Sequence, residues 1–255
     1  MAVTIAFCNQ KGGVGKTTTA VNTGAYLASM GQRVLMIDLD PQANATSGLG
    51  FPHGHDTISL YHCLAEGKNP KEAIVHTRVK NLDLLPSSID LAGAAVELIN
   101  APSREFKLFE VVQAIAPDYD FILIDCPPSV GILTINGLVA AQHLIIPVQC
   151  EYYALEGLSQ LLKTIELVRE HISPTISVMG AVLTMFDKRN KLSQEVANEV
   201  RKNFPAHVFE SVIPRSVYLA EAPSHGKTIA EYKWWSHGGM AYKNLAQEIL
   251  ALNTQ

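Results

Sequence analysis

Residues 9–18 combine the residue types that bind the phosphate groups of a nucleotide. They read Asn-Gln-Lys-Gly-Gly-Val-Gly-Lys-Thr-Thr. Because glycine has no Cβ, successive backbone N–H groups in such a loop can turn inward around an anion. The lysine after the last glycine then contacts the β- and γ-phosphates, and the next hydroxyl ligates Mg²⁺. We therefore expect Lys16 to bind phosphate and Thr17 to bind Mg²⁺.

The start of this loop is unusual. The common phosphate-binding pattern, G-x-x-x-x-G-K-[ST], has a glycine at the place of Gln10. Here Gln10 is followed at once by a second lysine, Lys11. A surface lysine is most often simply solvated, but a position inside a phosphate-binding loop favours a contact with nucleotide.

The segments on either side of the loop are those that the motif requires. Residues 3–8 form a short apolar run that predicts a strand, and residues 17–30 have the apolar spacing of a helix. A strand, a glycine-rich loop and a helix N-terminus in this order aim backbone donors at an anion. The alternative interpretation is a glycine-rich turn that binds no ligand. The Gly-Lys-Thr triplet favours the phosphate-binding loop over this alternative.

Two further apolar runs end in acidic residues. The run at 34–38 ends in Asp38, with Asp40 two residues later, and the run at 121–125 ends in Asp125. Hydrolysis of a nucleotide requires a metal ion and an acceptor that orients water. Aspartates at strand ends also form turns and helix caps, but two of them behind a phosphate-binding loop favour a catalytic site.

These motifs resemble those of the ParA/MinD family of P-loop ATPases, which have a deviant Walker A motif. The similarity includes residues 11–18, the Asp-x-Asp-Pro-Gln box at 38–42 and the strand with its switch at 121–129. Residues 147–158 and 221–226 look like the chromosomal ParA (Soj) branch. The resemblance therefore covers nearly the whole chain.

The resemblance implies a set of site residues. The nucleotide-binding residues it implies are Lys11, Gly12, Gly13, Val14, Gly15, Lys16, Thr17 and Thr18, with Met185 and Pro214 in segments that contact adenine. The catalytic residues it implies are Lys11, Lys16, Asp38 and Asp40, and the Mg²⁺ ligands are Thr17 and, through water, Asp125. In this family the lysine at the place of Lys11 reaches across a sandwich dimer to the nucleotide of the partner.

The resemblance also implies a cycle of ATP binding, dimerisation and sequence-independent DNA binding. A ParB-like protein would stimulate hydrolysis and release the dimer from the nucleoid. The candidate DNA contacts are basic residues of the C-terminal third, Lys188, Arg189, Arg215, Lys227 and Lys233. Such contacts neutralise phosphates and do not read sequence, although basic runs are also common on solvated faces.

The chain departs from the branch at two places on this basic segment. Tyr218 stands where an arginine is common, and Lys233-Trp234-Trp235 replaces an Asp-Pro pair. The tryptophans fit base stacking, internal packing or a protein interface. A cargo-positioning ATPase with little DNA binding therefore stays open as an alternative function, whereas a small-molecule phosphotransferase lacks an acceptor-site signature.

The composition places limits on these functions. The 255 residues carry a net charge of −4, but residues 1–178 hold 11 basic against 17 acidic residues (−6) and residues 179–255 hold 9 against 7 (+2). A polyanion is therefore expected at the C-terminal third. The four cysteines form no C-x-x-C pair, which suggests a reducing compartment, and no apolar run reaches the ~18 residues of a membrane span. We expect a cytoplasmic protein without a signal peptide.

Alternating patterns along the chain predict an α/β fold in one domain, 1–255. We expect a doubly wound, mostly parallel sheet with helices on both faces. Nucleotide would bind beyond the carboxyl ends of the strands. The predicted strands are 3–8, 33–38, 82–85, 120–125, 143–148, 177–184 and 208–213, and the predicted helices are 17–30, 90–99, 104–115, 132–141, 154–171, 192–203 and 239–251.

Overall fold

One sheet organises the computed structural model, which describes residues 2–52, 57–152 and 154–253. Within these ranges the strand order is β3-β4-β2-β5-β1-β6-β7, and every neighbouring pair is parallel except β3 with β4. The strands are β1 (Val3–Phe7), β2 (Val34–Asp38), β3 (Val75–His76), β4 (Leu82–Leu85), β5 (Phe121–Asp125), β6 (His143–Gln149) and β7 (Ser177–Thr184).

Helices cover both faces of this sheet, as the alternating pattern predicted. The helices are α1 (Lys16–Ser29), α2 (Asn44–Gly48), α3 (Leu60–Ala65), α4 (Pro70–Ala73), α5 (Leu91–Glu97), α6 (Lys107–Ile115), α7 (Ile132–Ala140), α8 (Ala154–His171), α9 (Lys191–Asn203), α10 (Val217–Glu221), α11 (Ile229–Lys233) and α12 (His237–Asn253). None of these described helices combines the length and apolar character that a membrane crossing needs.

The central strands are apolar on both sides because each side packs against helices. Successive side chains of a strand point to opposite faces, so Ile5 belongs to a core cluster with residues of α1 and α12, while Ala6 belongs to a second cluster with residues of α6, α7 and α8. On the first face the buried hydroxyl of Tyr242 lies 3.2 Å from Thr19 Oγ1. This contact joins α12 to the helix that follows the phosphate-binding loop.

The register of the central strands brings the predicted site residues to one edge. Phe7 pairs with Asp125 across β1 and β5, and Asp38 pairs with the same Asp125 across β2 and β5. The loop after β1 and both strand-terminal acids therefore leave the sheet side by side. This is the edge at which ligands bind in open parallel sheets.

The predicted strand at 208–213 is not a strand. Phe209 N–H donates to Ala181 O at 3.0 Å, but the next two N–H groups turn away from the sheet. The carboxylate of Glu248 on α12 accepts from the N–H groups of Glu210 and Ser211, both at 2.8 Å. A helix side chain thus takes the donors that a continuous ladder needs. Within the described residues, this segment joins the sheet through isolated bridges, such as that of Val208 with Ala181.

Several short elements were not predicted. Helices α2, α3, α4, α10 and α11 have four to six residues, and β3 has two. Segments of this length contain less than two helical turns, so hydrophobic periodicity does not identify them.

Candidate nucleotide site

The phosphate-binding loop joins β1 to α1 and has the backbone that its glycines allow. Gly13 and Gly15 have φ angles of +72° and +87°, which strain any residue with a Cβ. A Cβ placed on Gly12 or Gly13 would meet no described atom within 4 Å. The loop therefore borders open space, and α1 starts directly behind it without an acidic residue in its first turn. Uncapped N–H groups of a helix N-terminus attract an anion at this position.

Lys16 is held inside the loop. Its side chain is buried, and Nζ donates to the carbonyl oxygen of Lys11 at 3.2 Å. Burial lowers the pKa of Lys16, while the charges of Asp125 and Asp40 act in the opposite direction. A partly desolvated cation next to free backbone donors is suited to bind phosphate oxygens.

Asp125 is a fully buried acid at the end of β5. Within the described residues, neither carboxylate oxygen makes a hydrogen bond of standard geometry. Burial raises the pKa of Asp125 well above its usual range, the charge of Asp38 adds to this, and the nearby Thr17 hydroxyl lowers it. An unpaired buried carboxylate is costly, so it fits a group that receives a cation. Thr17 and Asp125 are thus a chemically suitable donor set for Mg²⁺.

Asp38 has its carboxylate occupied by its own chain. One oxygen accepts from the N–H and the hydroxyl of Thr46, both at 2.8 Å, and the other accepts from Asp40 N–H at 3.2 Å. Burial raises the pKa of Asp38, and the bonds from Thr46 oppose this. The geometry suits a residue that fixes the following turn rather than one that contacts a ligand.

Asp40 lies on that turn and is held from two sides. Its Oδ1 accepts from Gln42 N–H at 3.0 Å, and its carbonyl oxygen accepts from the Ser87 hydroxyl at 2.7 Å. The residue is 6% exposed. The charge of Asp40 acts on both Lys16 and Asp125, so its carboxylate belongs to the same site, as a water-orienting acid requires.

Lys11 points across the surface of its own chain. Its N–H donates to Asn9 Oδ1 at 3.0 Å, and its Nζ lies 3.7 Å from Glu151 Oε2. The other oxygen of Glu151 pairs with Arg215 at 3.1 Å. Lys11, a predicted nucleotide contact, and Arg215, a predicted DNA contact, thus pair with the same carboxylate just beyond β6. Sequence reasoning missed Glu151 because nothing in its local pattern signals a partner 140 residues away.

A cavity of about 400 Å³ opens beside the loop. Gly15 and Thr18 of the loop region line it, together with the predicted adenine contacts Met185 and Pro214. Its remaining lining is largely apolar, which suits a planar base. Leu219 and Tyr242 also line it and were not predicted, because they come from α10 and α12.

The predicted DNA contacts fall into separate groups. Arg189 pairs with Asp187 at 3.2 Å and is highly exposed. The Arg215 N–H donates to Phe186 O, so Arg215 lies next to the segment that carries Arg189. Lys188 and Lys227 are exposed. Lys233 instead lies on α11, with Nζ 4.3 Å from the ring centroid of Tyr218.

The fold and this loop define a P-loop nucleotide-binding α/β protein. A family model described as an AAA domain matches residues 2–178. Sporulation initiation inhibitor protein Soj of Bacillus subtilis is 51% identical over 251 residues, 98% of this chain and 99% of that protein. Chromosome-partitioning ATPase Soj of Treponema pallidum is 48% identical over 255 residues and covers both chains fully.

A solved structure of similar fold supports the assignment to this class of protein. Cobyrinic acid a,c-diamide synthase from Mycobacterium smegmatis, crystallised with an ATP analogue and magnesium, is 36% identical, with a TM-score of 0.89. The match covers 100% of this chain and 97% of that one. The chain described here belongs to the Soj/ParA family of P-loop ATPases. The resemblance and the fold class predicted from the motifs are thereby confirmed.

Proposed function

We propose that this chain is a DNA-partitioning ATPase whose ATP-bound dimer binds DNA and is released when a ParB-like partner stimulates hydrolysis. The observation that carries the ATPase activity is the buried carboxylate of Asp125, which makes no hydrogen bond of standard geometry within the described residues and lies near Thr17 and Lys16. The cofactors are ATP and Mg²⁺. The partitioning role comes from the Soj relatives that match over full length.

ATP would lie along the carboxyl edge of the sheet. The backbone from Gly12 to Thr18 and the Lys16 ammonium receive the phosphates, and the base enters the cavity lined by Met185 and Pro214. Mg²⁺, held by Thr17 and by Asp125 through water, would neutralise charge on the β- and γ-phosphates. Asp40 orients the attacking water, and Asp38 fixes the turn that carries Asp40.

Dimerisation would place the carboxyl edge of the sheet, with its bound ATP, against a second copy of the chain. The side chain of Lys11 is partly exposed there, and within the described residues its ammonium is paired only with the exposed carboxylate of Glu151. Val130, which follows the Asp125 strand, is 53% exposed. Exposed apolar side chains around a polar site are typical of a protein contact. ATP buried between two copies would stabilise the dimer, and hydrolysis would remove that stabilisation.

DNA binding would use the exposed cations of the C-terminal third. Lys188, Arg189 and Lys227 are available to phosphates, and a dimer would present two copies of each. Contacts of this kind weaken steeply with salt and do not read sequence. We infer that the cytoplasmic pool of the ATP-bound dimer associates with the nucleoid.

A second function, positioning a protein cargo with little DNA binding, is favoured by one observation. Arg189 and Arg215, two of the five candidate DNA contacts, are each paired with a carboxylate of the same chain. Such pairs reduce the positive potential that a polyanion meets.

Filter binding of duplex DNA, with dimerisation followed in parallel by sedimentation, separates the two functions. The partitioning proposal predicts ATP-dependent retention at low salt that decreases steeply as salt rises. A dimer that forms with ATP but retains no DNA at any salt concentration would support the cargo function instead.

A further inference from the structure

An exposed aromatic surface lies where α10, α11 and the start of α12 meet. We define it by Tyr218, Lys233, Trp234 and Trp235. The tryptophans are 57% and 61% exposed, and Tyr218 is 39% exposed. The indole rings stand edge to face, with centroids 5.7 Å apart and an interplanar angle of 82°. The adjacent tryptophans therefore do not serve as internal packing, and their large apolar area is available to a partner.

The backbone beneath these rings is fixed. Ser236 N–H donates to Lys233 O at 3.1 Å, and Gly239 N–H donates to Ser236 Oγ at 3.1 Å. A Cβ on Gly239 would collide with the carbonyl of Trp234, and one on Gly238 would lie 2.9 Å from Leu219. Two glycines thus let α12 close tightly on the turn and on α10. The rings are presented on a rigid support, which reduces the entropy lost on binding.

The ammonium of Lys233 is held among these rings. Its Nζ lies 4.3 Å from the Tyr218 centroid and 5.8 Å from the Trp235 centroid, both within the range of cation–π attraction. The nearest acids in sequence have other partners: Glu221 accepts from the Tyr232 hydroxyl at 3.2 Å, and Glu231 accepts from Thr228 N–H at 3.0 Å. In the part of the chain that the structure describes, no carboxylate forms an ion pair with Lys233.

We propose that this aromatic surface binds nucleic acid whose bases are unpaired. Lys233 contacts a phosphate, and the faces of Trp234 and Trp235 stack on bases. The inference rests on the DNA-binding function proposed above and adds that part of the contact goes to bases. A cation without a carboxylate partner, framed by flat rings, is complementary to a polyanion that carries flat bases.

Unpaired bases are required by geometry. In an intact duplex each base face is covered by the next base, so a rigid protein ring cannot stack without opening the helix. A single strand, or a duplex with an unpaired bubble, offers open base faces. The strength of a stacking contact also depends less on salt concentration than that of a phosphate contact.

Intrinsic fluorescence tests this directly, because Trp234 and Trp235 are the two tryptophans of the chain. The full-length protein with ATP and Mg²⁺ is titrated with a thymidine oligonucleotide, a fully paired two-strand duplex and the same duplex with an unpaired bubble. Binding is measured in parallel by anisotropy of a label on the DNA. We expect the single strand and the bubble to quench emission at low and high salt, and the fully paired duplex to quench it much less.

Three variants and a control locate the contact. Trp234→Ala and Trp235→Ala should each weaken single-strand binding by about 5- to 100-fold, the range for loss of one stacked base, while binding of the fully paired duplex changes little. Trp235→Phe keeps a ring and should retain most of the affinity. Val96→Ala, an exposed apolar position on α5, should change neither. Circular dichroism and thermal unfolding verify that each variant folds.

The outcomes separate this inference from the proposed function. If tryptophan emission stays unchanged at a saturating concentration of single-stranded DNA, the inference is overturned. The proposed function still stands in that case if ATP-dependent binding of paired DNA persists. Loss of all nucleic-acid binding in a protein that still dimerises with ATP overturns both. A shift of emission with protein concentration alone assigns the surface to a contact between copies and also overturns the inference.

Discussion

Lys11 Nζ lies 3.7 Å from Glu151 Oε2, so the second lysine of the phosphate-binding loop is paired within its own chain. Both side chains are more than a third exposed, and an exposed ion pair of this kind contributes only about 0–1 kcal/mol. Lys11 can therefore leave Glu151 for a phosphate of a neighbouring copy at small cost. A charge-assisted contact with phosphate in a buried interface is stronger than the pair it replaces.

Substituting Glu151 by Gln should strengthen ATP-dependent dimerisation slightly, by at most about fivefold, since it releases Lys11 from a weak pair. Sedimentation velocity at several protein concentrations measures this. Glu166→Gln, which removes a surface pair with Arg169 on α8, serves as the control. If Glu151→Gln instead weakens the dimer tenfold or more, Glu151 acts at the interface itself and does not merely hold Lys11.

Substituting Asp40 by Ala should slow ATP hydrolysis by about 100-fold or more and leave ATP affinity nearly unchanged. The reason is that Asp40 orients water in the reaction and is not a main contact of the ground-state nucleotide. Phosphate release and equilibrium ATP binding give the two quantities. Asp118→Asn, at an exposed pair with Lys71, is the control. A loss of ATP affinity as large as the loss of rate would assign Asp40 to binding.

Substituting Gly13 by Ala should affect both stability and ATP binding, and Gly31→Ala separates the two. Both glycines have a positive φ angle, and neither has a described atom that would clash with a Cβ. Each variant should lose about 1–2 kcal/mol in the free energy of unfolding from backbone strain. Only Gly13→Ala should also bind ATP about tenfold more weakly or worse, as calorimetry would show. Equal ATP affinity in both variants would contradict the assigned phosphate loop.

Substituting Asp125 by Asn should stabilise the protein when ATP and Mg²⁺ are absent. Burial raises the pKa of Asp125 in the folded state, so folding retains a proton that the unfolded chain releases above about pH 4. The stability of the parent protein therefore falls as pH rises above that value, and the Asn variant avoids this loss. At pH 7 the variant should gain about 1–3 kcal/mol, and below about pH 4 the gain should vanish.

Urea unfolding at a series of pH values measures that difference. The same experiment with added Mg²⁺ and ATP should stabilise the parent protein strongly and the Asp125→Asn variant weakly. A variant that is less stable than the parent protein at pH 7 without ligands would show that the carboxylate is satisfied in the fold, contrary to its unpaired geometry.

The sequence was sufficient for the parts of the site that lie close together along the chain. The loop at 9–18 and the acids at the ends of β2 and β5 are local motifs, and parallel strands necessarily bring their carboxyl ends together. The sequence was insufficient where distant residues decide a contact. Glu248 interrupts the segment at 208–213 from 37 residues or more away, and Glu151 pairs with Lys11 across 140 residues. The roles of the individual site residues and the single-domain organisation stay predictions.

The central claim is that Lys11 links bound ATP to the dimer. Its most direct test is sedimentation velocity with ATP and Mg²⁺, comparing Asp40→Ala with the double variant Lys11→Ala, Asp40→Ala, so that hydrolysis does not remove the nucleotide. Losing a charge contact buried between two copies should weaken dimerisation by about 30-fold or more, while calorimetry still detects ATP bound to the monomer. A double variant that dimerises as tightly as Asp40→Ala alone would contradict the claim.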